Sequence, residues 1–177
     1  VRVILGGPEF LGDNEQYLRQ HPEVDAVFRG EGEESFAHWM DVWNEPKKWA
    51  NIPGLCYLEE IEATGDRLRA TNGHAEPYLT HADRSPSLFT YHDGGLARVM
   101  EFDRLVPPEE SSLFRWDKPF VQIETTRGCF NSCAFCVSGM GDPIRTLSID
   151  TIRQRLSKIQ EQGIRDVRIL GRTCNCH

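Results

Sequence analysis

Cys129, Cys133 and Cys136 set three thiols in the short run Cys129-Phe-Asn-Ser-Cys133-Ala-Phe-Cys136. Thiolates are soft ligands, and this spacing suits either zinc or an iron–sulfur cluster. Iron–sulfur clusters are usually held by four thiolates, so three from one loop leave one iron open for a substrate or cofactor. A structural zinc site is the competing reading and needs a fourth ligand. Cys174, Cys176 and His177 can supply one, although only the adjacency of neighbouring strands links them to the loop. Disulfides are the weakest reading, because no secretory signal pattern points to an oxidising compartment. The histidines His21, His38, His74, His81, His92 and His177 are scattered, with no pair at ligand spacing on one helix.

Such a loop has to be carried by regular structure. Phe120, Val121 and Ile123 read as a strand running into Thr125-Thr126-Arg127-Gly128-Cys129, which puts the thiols at its C-terminal end, where parallel α/β folds place their ligands. Beyond the loop, Ser148 is a good helix N-cap with Asp150 in the first turn. Ile149, Ile152, Leu156 and Ile159 mark the buried face of that helix, and Gly163 ends it. Val167, Ile169 and Leu170 form the next strand. Strand, loop, helix and strand make the opening unit of a (β/α) barrel over residues 118–177.

Residues 1–45 also read as α/β. Val1, Val3, Ile4 and Leu5 make a strand that ends in Gly6-Gly7-Pro8. Asp13 caps a short helix carrying Tyr17 and Leu18, and Val24 to Phe28 is a second strand ending in Gly30-Glu31-Gly32-Glu33. Phe36, Trp39, Met40 and Trp43 follow at helical spacing as one apolar face. This order implies parallel strands, the second half of a doubly wound sheet. Residues 46–117 read as an ordered linker with a hairpin, Leu55 to Ile61 and Arg67 to Ala70 flanking Thr64-Gly65-Asp66. Its aromatics Phe89, Tyr91, Phe102, Phe114 and Trp116 call for burial. A strand at each extreme of the chain, without the neighbours and helices a parallel sheet demands, gives the expectation that the sequence is a fragment.

The cysteine loop resembles the radical S-adenosylmethionine superfamily, whose signature is C-x-x-x-C-x-x-C after the first barrel strand. Thr126-Arg127-Gly128 ahead of the first cysteine and Phe135 ahead of the third match its surroundings. The resemblance implies a [4Fe-4S] cluster on Cys129, Cys133 and Cys136, with S-adenosylmethionine chelated at the open iron. It also implies reductive cleavage of the sulfonium to a 5′-deoxyadenosyl radical, fed by an electron donor such as flavodoxin or ferredoxin. Phe135 then lies against the adenine, largely through its backbone. The cofactors carry that chemistry and the protein orients them; no catalytic residue beyond the cluster ligands is assigned. Where many relatives carry a Gly-Gly-Glu segment for the methionine amino group, this chain has Gly171-Arg172-Thr173.

The front of the chain resembles the cobalamin-binding domain found ahead of many such enzymes. The resemblance implies that the Gly6-Gly7-Pro8 loop and the Gly30-Glu31-Gly32 turn border the nucleotide tail of the corrin. Read structurally, Glu31, Glu33 and Glu34 are simply acidic residues favoured at a helix N-terminus. The parent function is then methyl transfer or rearrangement with cobalamin. Methylthiolation is the enzymatic alternative, although that class brings a second cysteine set ahead of the barrel and residues 1–118 hold only Cys56. A non-catalytic zinc-binding module is the alternative from another class.

Composition bounds the rest. The 177 residues are 39% hydrophobic and 27% charged, enough for a buried core and a solvated surface. A formal charge of −7 gives no support to nonspecific attraction to nucleic acid. No apolar run approaches the roughly 20 residues of a membrane helix, and the expected compartment is cytoplasmic. The substrate is not written in these residues, because in a barrel enzyme later strand ends and loops contact it.

Overall fold

The computed structural model describes residues 1–61, 88–131, 133–136 and 143–171. The chain divides into two compact units, Val1–Val99 and Met100–His177. The segment expected to be a linker is shared between them. No helix among the described residues is long and apolar enough to cross a membrane.

In the first unit, β1 (Ile4–Gly6), α1 (Glu15–Gln20) and β2 (Ala26–Phe28) form a parallel strand–helix–strand, with Ile4 opposite Ala26 and Gly6 opposite Phe28. Leu18 anchors α1, fully buried with Val24, Val27 and Cys56. Asn14 rather than Asp13 occupies the N-cap position, without a side-chain cap, while the Asp13 carboxylate accepts the Glu15 N–H at 2.9 Å. Next comes α2 (Glu33–Val42), whose side of the sheet holds Ala26, Phe28, Trp39, Trp49, Ile52, Leu55 and Tyr57. Both faces of β2 are therefore covered, and all three of its residues are buried.

Two expectations need correction here. The sheet does not continue as a doubly wound one: β3 (Leu55–Glu60) runs antiparallel to β2, and β4 (Phe89–Asp93) antiparallel to β3, giving the order β1-β2-β3-β4. The chain returns through α2 and a 3-10 turn at Pro46–Asn51 to pair beside β2, so the third strand enters from the opposite end. The partner along Cys56–Glu60 is β4, whereas the other expected hairpin strand, residues 67–70, lies outside the described residues. Nor does α2 bury its whole aromatic stripe. Trp39 is buried, while Phe36, Met40 and Trp43 are about half exposed, because Ser35 and Trp39 turn inward. Each fully buried large apolar side chain contributes ~1.5–3 kcal/mol, so the two buried tryptophans, Trp39 and Trp49, weigh heavily in this unit.

Gly30 closes the unit. Its φ is +96°, and a Cβ there would lie 2.9 Å from Ala97 N and closer still to Ala97 O. The Ala97 N–H donates to Arg29 O at 3.0 Å and the Glu31 N–H to Ala97 O at 2.9 Å, so the strap Gly94–Val99 lies directly on this turn. Gly30→Ala is expected to cost the first unit about 2–3 kcal/mol from backbone strain and overlap. The check is a lower denaturant midpoint by tryptophan fluorescence; an unchanged midpoint would contradict the seating of the strap.

In the second unit, β5 (Phe120–Glu124) pairs in parallel with β8 (Asp166–Leu170) across α3 (Ile149–Glu161). Val121, Ile123, Ile159 and Ile164 form the core, flanked by Phe114, Trp116 and Val167. A second short ladder pairs β6 (Thr126–Arg127) with β7 (Arg145–Thr146). The expected face of α3 is only partly used: Ile159 is fully buried, but Ile149 is 66% exposed and Leu156 37%. The second unit thus shows one β/α/β unit, and the described residues form no closed barrel.

Candidate functional site

The cysteine loop rises from a closed neck. At the end of β5, the Thr125 N–H donates to Leu170 O at 3.3 Å and Thr125 O accepts the Leu147 N–H at 2.9 Å. The chain then climbs β6 and later descends β7, with Thr126 opposite Thr146 and Arg127 opposite Arg145. Gly128, at φ +87°, turns the chain into Cys129. Cys129 is half-buried, and Cys133 and Cys136 are exposed. None of the three is joined in a disulfide, and the Cys136 N–H donates to Cys133 O at 2.9 Å, closing a tight turn between the outer pair. The loop thus gathers the cysteines on one neck. Among the described residues no three Cys, His, Asp or Glu side chains yet converge on one metal position. Phe135, between the outer cysteines, is 91% exposed. The terminal run Arg172 to His177 lies outside the described residues.

The sequence marks Arg127 as part of the Thr126-Arg127-Gly128 run and Ser148 as a helix cap, but not their partners Glu124 and Asp103. Arg127 donates from Nε and Nη2 to Glu124 Oε2 at 3.0 and 2.8 Å, and its guanidinium lies 4.8 Å from the Phe102 ring centre. The local signal for the Glu124–Arg127 pair is an acid and a base three positions apart at a strand end. Phe102 belongs to a 3-10 turn, Phe102–Arg104, that also supplies Asp103. Both Asp103 oxygens accept the Ser148 N–H, at 2.9 and 3.2 Å, while Ser148 Oγ caps α3 by accepting the Thr151 N–H at 3.2 Å.

The Ser148 N–H, with help from the Thr151 and Ser148 hydroxyls, holds the Asp103 carboxyl below its ordinary range. A carboxylate lowered on folding stabilises fully above its unfolded value, about pH 4, and loses that contribution as the pH falls through the lowered one. Acidification is therefore expected to free the start of α3, with Asp103→Asn removing the acid-dependent part. Hydrogen exchange at the Ser148 and Thr151 amides against pH is the check; identical profiles in the two proteins would contradict it.

In the first unit, the Gly6-Gly7-Pro8 loop and the Gly30-Glu31-Gly32 turn follow parallel neighbours, β1 and β2, at one end of the sheet. They differ in what they can still receive. Gly7, at φ +109°, has nothing within 4 Å of a built Cβ, and Pro8 opens a 3-10 turn. Gly30 is pressed on Ala97, and Glu31 Oε2 accepts the Val99 N–H at 2.8 Å. Gly32 caps α2. A cavity of about 320 Å³ beside this turn is lined by Glu31, Glu34, Ser35, His38, Arg98 and Val99 among others. Folding alone brings Arg98 and Val99 to these helix residues.

Cys56 has a packing role. Its thiol donates to Asp93 Oδ1 at 3.4 Å inside the sheet, and burial pushes it up from the ordinary thiol range. Burial also raises the Tyr91 hydroxyl beside it. Asp93 is partly desolvated, which works the other way, but hydrogen bonds from the Gly95 N–H, Cys56 and Arg29 keep its carboxyl low. A neutral thiol in such surroundings is a poor metal ligand.

No protein-family model matches the chain. It is similar to an uncharacterized methyltransferase of Pyrococcus horikoshii, 29% identical over 177 residues that cover 98% of this chain and 34% of the relative. It is also similar to the 2-(S-pantetheinyl)-carbapenam-3-carboxylate methyltransferase of Streptantibioticus cattleyicolor, 24% identical over 169 residues, covering 93% and 22%. A tRNA-2-methylthio-N(6)-dimethylallyladenosine synthase of Haemophilus influenzae is 26% identical over 171 residues, covering 84% and 33%. The chain is thus a distant relative of methyltransferases and of a methylthio-nucleoside synthase, and it spans about a third or less of their length.

Proposed function

We propose that this chain carries the cofactor-binding start of a radical S-adenosylmethionine enzyme acting in methyl transfer, with Cys129, Cys133 and Cys136 as ligands of a [4Fe-4S] cluster. The observation that carries this reading is a set of three cysteines on one loop, raised on a closed neck at the C-terminal end of a parallel strand pair. The donor set fits the group: the thiols are soft and unbridged, and the outer two face solvent where an incoming cluster can reach them. Uptake has to draw the three sulfurs together, with the neck as the fixed frame. When bound, the cluster supplies the electron that cleaves the sulfonium of S-adenosylmethionine. The chain's own part is to hold the ligands, to offer Phe135 to the adenine, and to present the cluster to a flavodoxin- or ferredoxin-like donor.

Transfer of a methyl group is favoured over rearrangement because two of the relatives are methyltransferases by name. The methylthio-nucleoside synthase supports a second reading, methylthiolation. The buried Cys56 speaks against it, since it leaves the described part of the first unit without a further ligand set. Cobalamin fits only in part. The Gly6-Gly7-Pro8 loop stays open to a corrin tail, but Gly30 and Glu31 spend their close approach and their carboxylate on the chain's own strap. The reading therefore rests on the cysteine loop and not on the corrin.

Anaerobic reconstitution with iron and sulfide tests it. The expected product is brown, bleaches on reduction, and gives a reduced-cluster resonance that shifts when S-adenosylmethionine is added. A colourless protein that retains zinc instead would establish the zinc module and end the proposal.

A further inference from the structure

We propose that the turn Phe102–Arg104 is a clasp that fixes both roots of the cysteine loop, and that Arg127, seated on it, is a positioning residue for Cys129. The inference rests on the cluster reading above. The ladder β6–β7 is only two residues long on each side, and a two-stranded ribbon of that size is not stable by itself. Other contacts must set its geometry, and the side chains supply them.

On the ascending root, Arg127 is tied to Glu124 by two hydrogen bonds and lies over the buried ring of Phe102, with its side chain only 15% exposed. A guanidinium over an aromatic face gains most when both are removed from water. On the descending root, Asp103 takes the Ser148 N–H directly after Leu147, whose own N–H bonds back to Thr125 O. Neighbouring residues of a single turn therefore hold position 127 and position 148, which fixes the spacing of the two roots. Only Gly128 separates Arg127 from Cys129, so the first thiol inherits the position of the guanidinium. Cys133 and Cys136 lie farther out and exposed, free to close on an arriving cluster. The arrangement makes Cys129 the anchoring sulfur and the outer pair the adaptable ones.

Outer-shell partners of metal ligands are worth about 10- to 100-fold in metal affinity. Arg127→Met and Phe102→Leu are therefore expected to lose the reconstituted cluster to a chelator at about 10-fold lower concentration than the parent chain. Their reduced-cluster resonances should also be broadened. Phe102→Tyr keeps the aromatic face and is expected to restore both readouts. Arg127→Lys keeps the charge without the fork and is expected to fall between. Circular dichroism reports whether each variant is folded. In cluster-free protein, hydrogen exchange at the Gly128 and Cys129 amides should quicken in Arg127→Met, which reads the clasp without the cluster. A folded Arg127→Met with the parent's affinity and resonance would overturn the inference, as would a Phe102→Tyr variant no better than Phe102→Leu. If the parent chain takes up no cluster, the cluster reading fails and the positioning role falls with it, whatever the exchange shows.

Discussion

Cys133→Ala is expected to leave the chain almost free of iron and sulfide after anaerobic reconstitution, with no visible absorption and no reduced-cluster resonance. The size of the effect follows from coordination: each thiolate is a direct ligand, and with three from the protein none is spare. The same exposure that leaves Cys133 open to a cluster makes its removal harmless to the fold, since surface substitutions away from special contacts usually change stability by less than about 0.5 kcal/mol. Loss of colour in this variant can therefore be ascribed to the missing ligand. Cys56→Ala is the opposite control. It removes a fully buried side chain that bonds Asp93, so it should lower stability and leave the iron content unchanged. Iron and sulfide analysis with a melting curve on both variants reads the two predictions together. If Cys133→Ala keeps the full iron and sulfide content of the parent, the assignment of the ligands is wrong.

The contrast between these cysteines also shows what sequence can convey. The helix and strand pair behind the loop were legible because the information is local. Ser148 does cap α3, Gly163 adopts a φ of +80° at the helix end, and β5 and β8 lie in parallel around that helix as their apolar runs suggested. What was not legible depends on distant residues. Gly30 reads as a ligand-facing turn until Ala97, far along the chain, is found against it. The direction of β3 was not fixed by its apolar residues, which look the same whichever way the strand enters a sheet. The stripe on α2 was ambiguous because aromatics occupy neighbouring angles, and packing against Trp49 and Ile52 selected Trp39 over Met40. The neck of the candidate site was hidden for the same reason. Nothing in Arg127 or Ser148 alone announces that one turn holds both, since their partners Phe102 and Asp103 become neighbours only after folding.

A distant pairing of the same kind yields the largest expected loss of stability. Glu109→Ala should destabilise the second unit by about 3–5 kcal/mol, the cost of stranding one member of a buried ion pair. Arg155, on the side of α3, donates from Nη2 to both Glu109 oxygens at 2.8 and 3.0 Å, with side-chain exposures of 11% and 2%. Its Nε is buried and makes no hydrogen bond among the described residues, so the guanidinium depends heavily on that carboxylate. The neighbouring pair, Lys158 with Glu110 at 2.7 Å, is more exposed, and its loss should cost no more than about 1 kcal/mol. The two pairs together dock the 3-10 turn Pro108–Glu110 on the helix that crosses from the cysteine loop to β8. Comparing urea midpoints of Glu109→Ala and Glu110→Ala separates the buried contribution from the exposed one. Replacing Glu109 and Arg155 together by leucine should recover most of the loss, because a buried pair exchanged for apolar groups of similar volume is often neutral. A Glu109→Ala midpoint equal to that of Glu110→Ala would mean that the Arg155 guanidinium reaches water after all, and that the turn is held to α3 by packing alone.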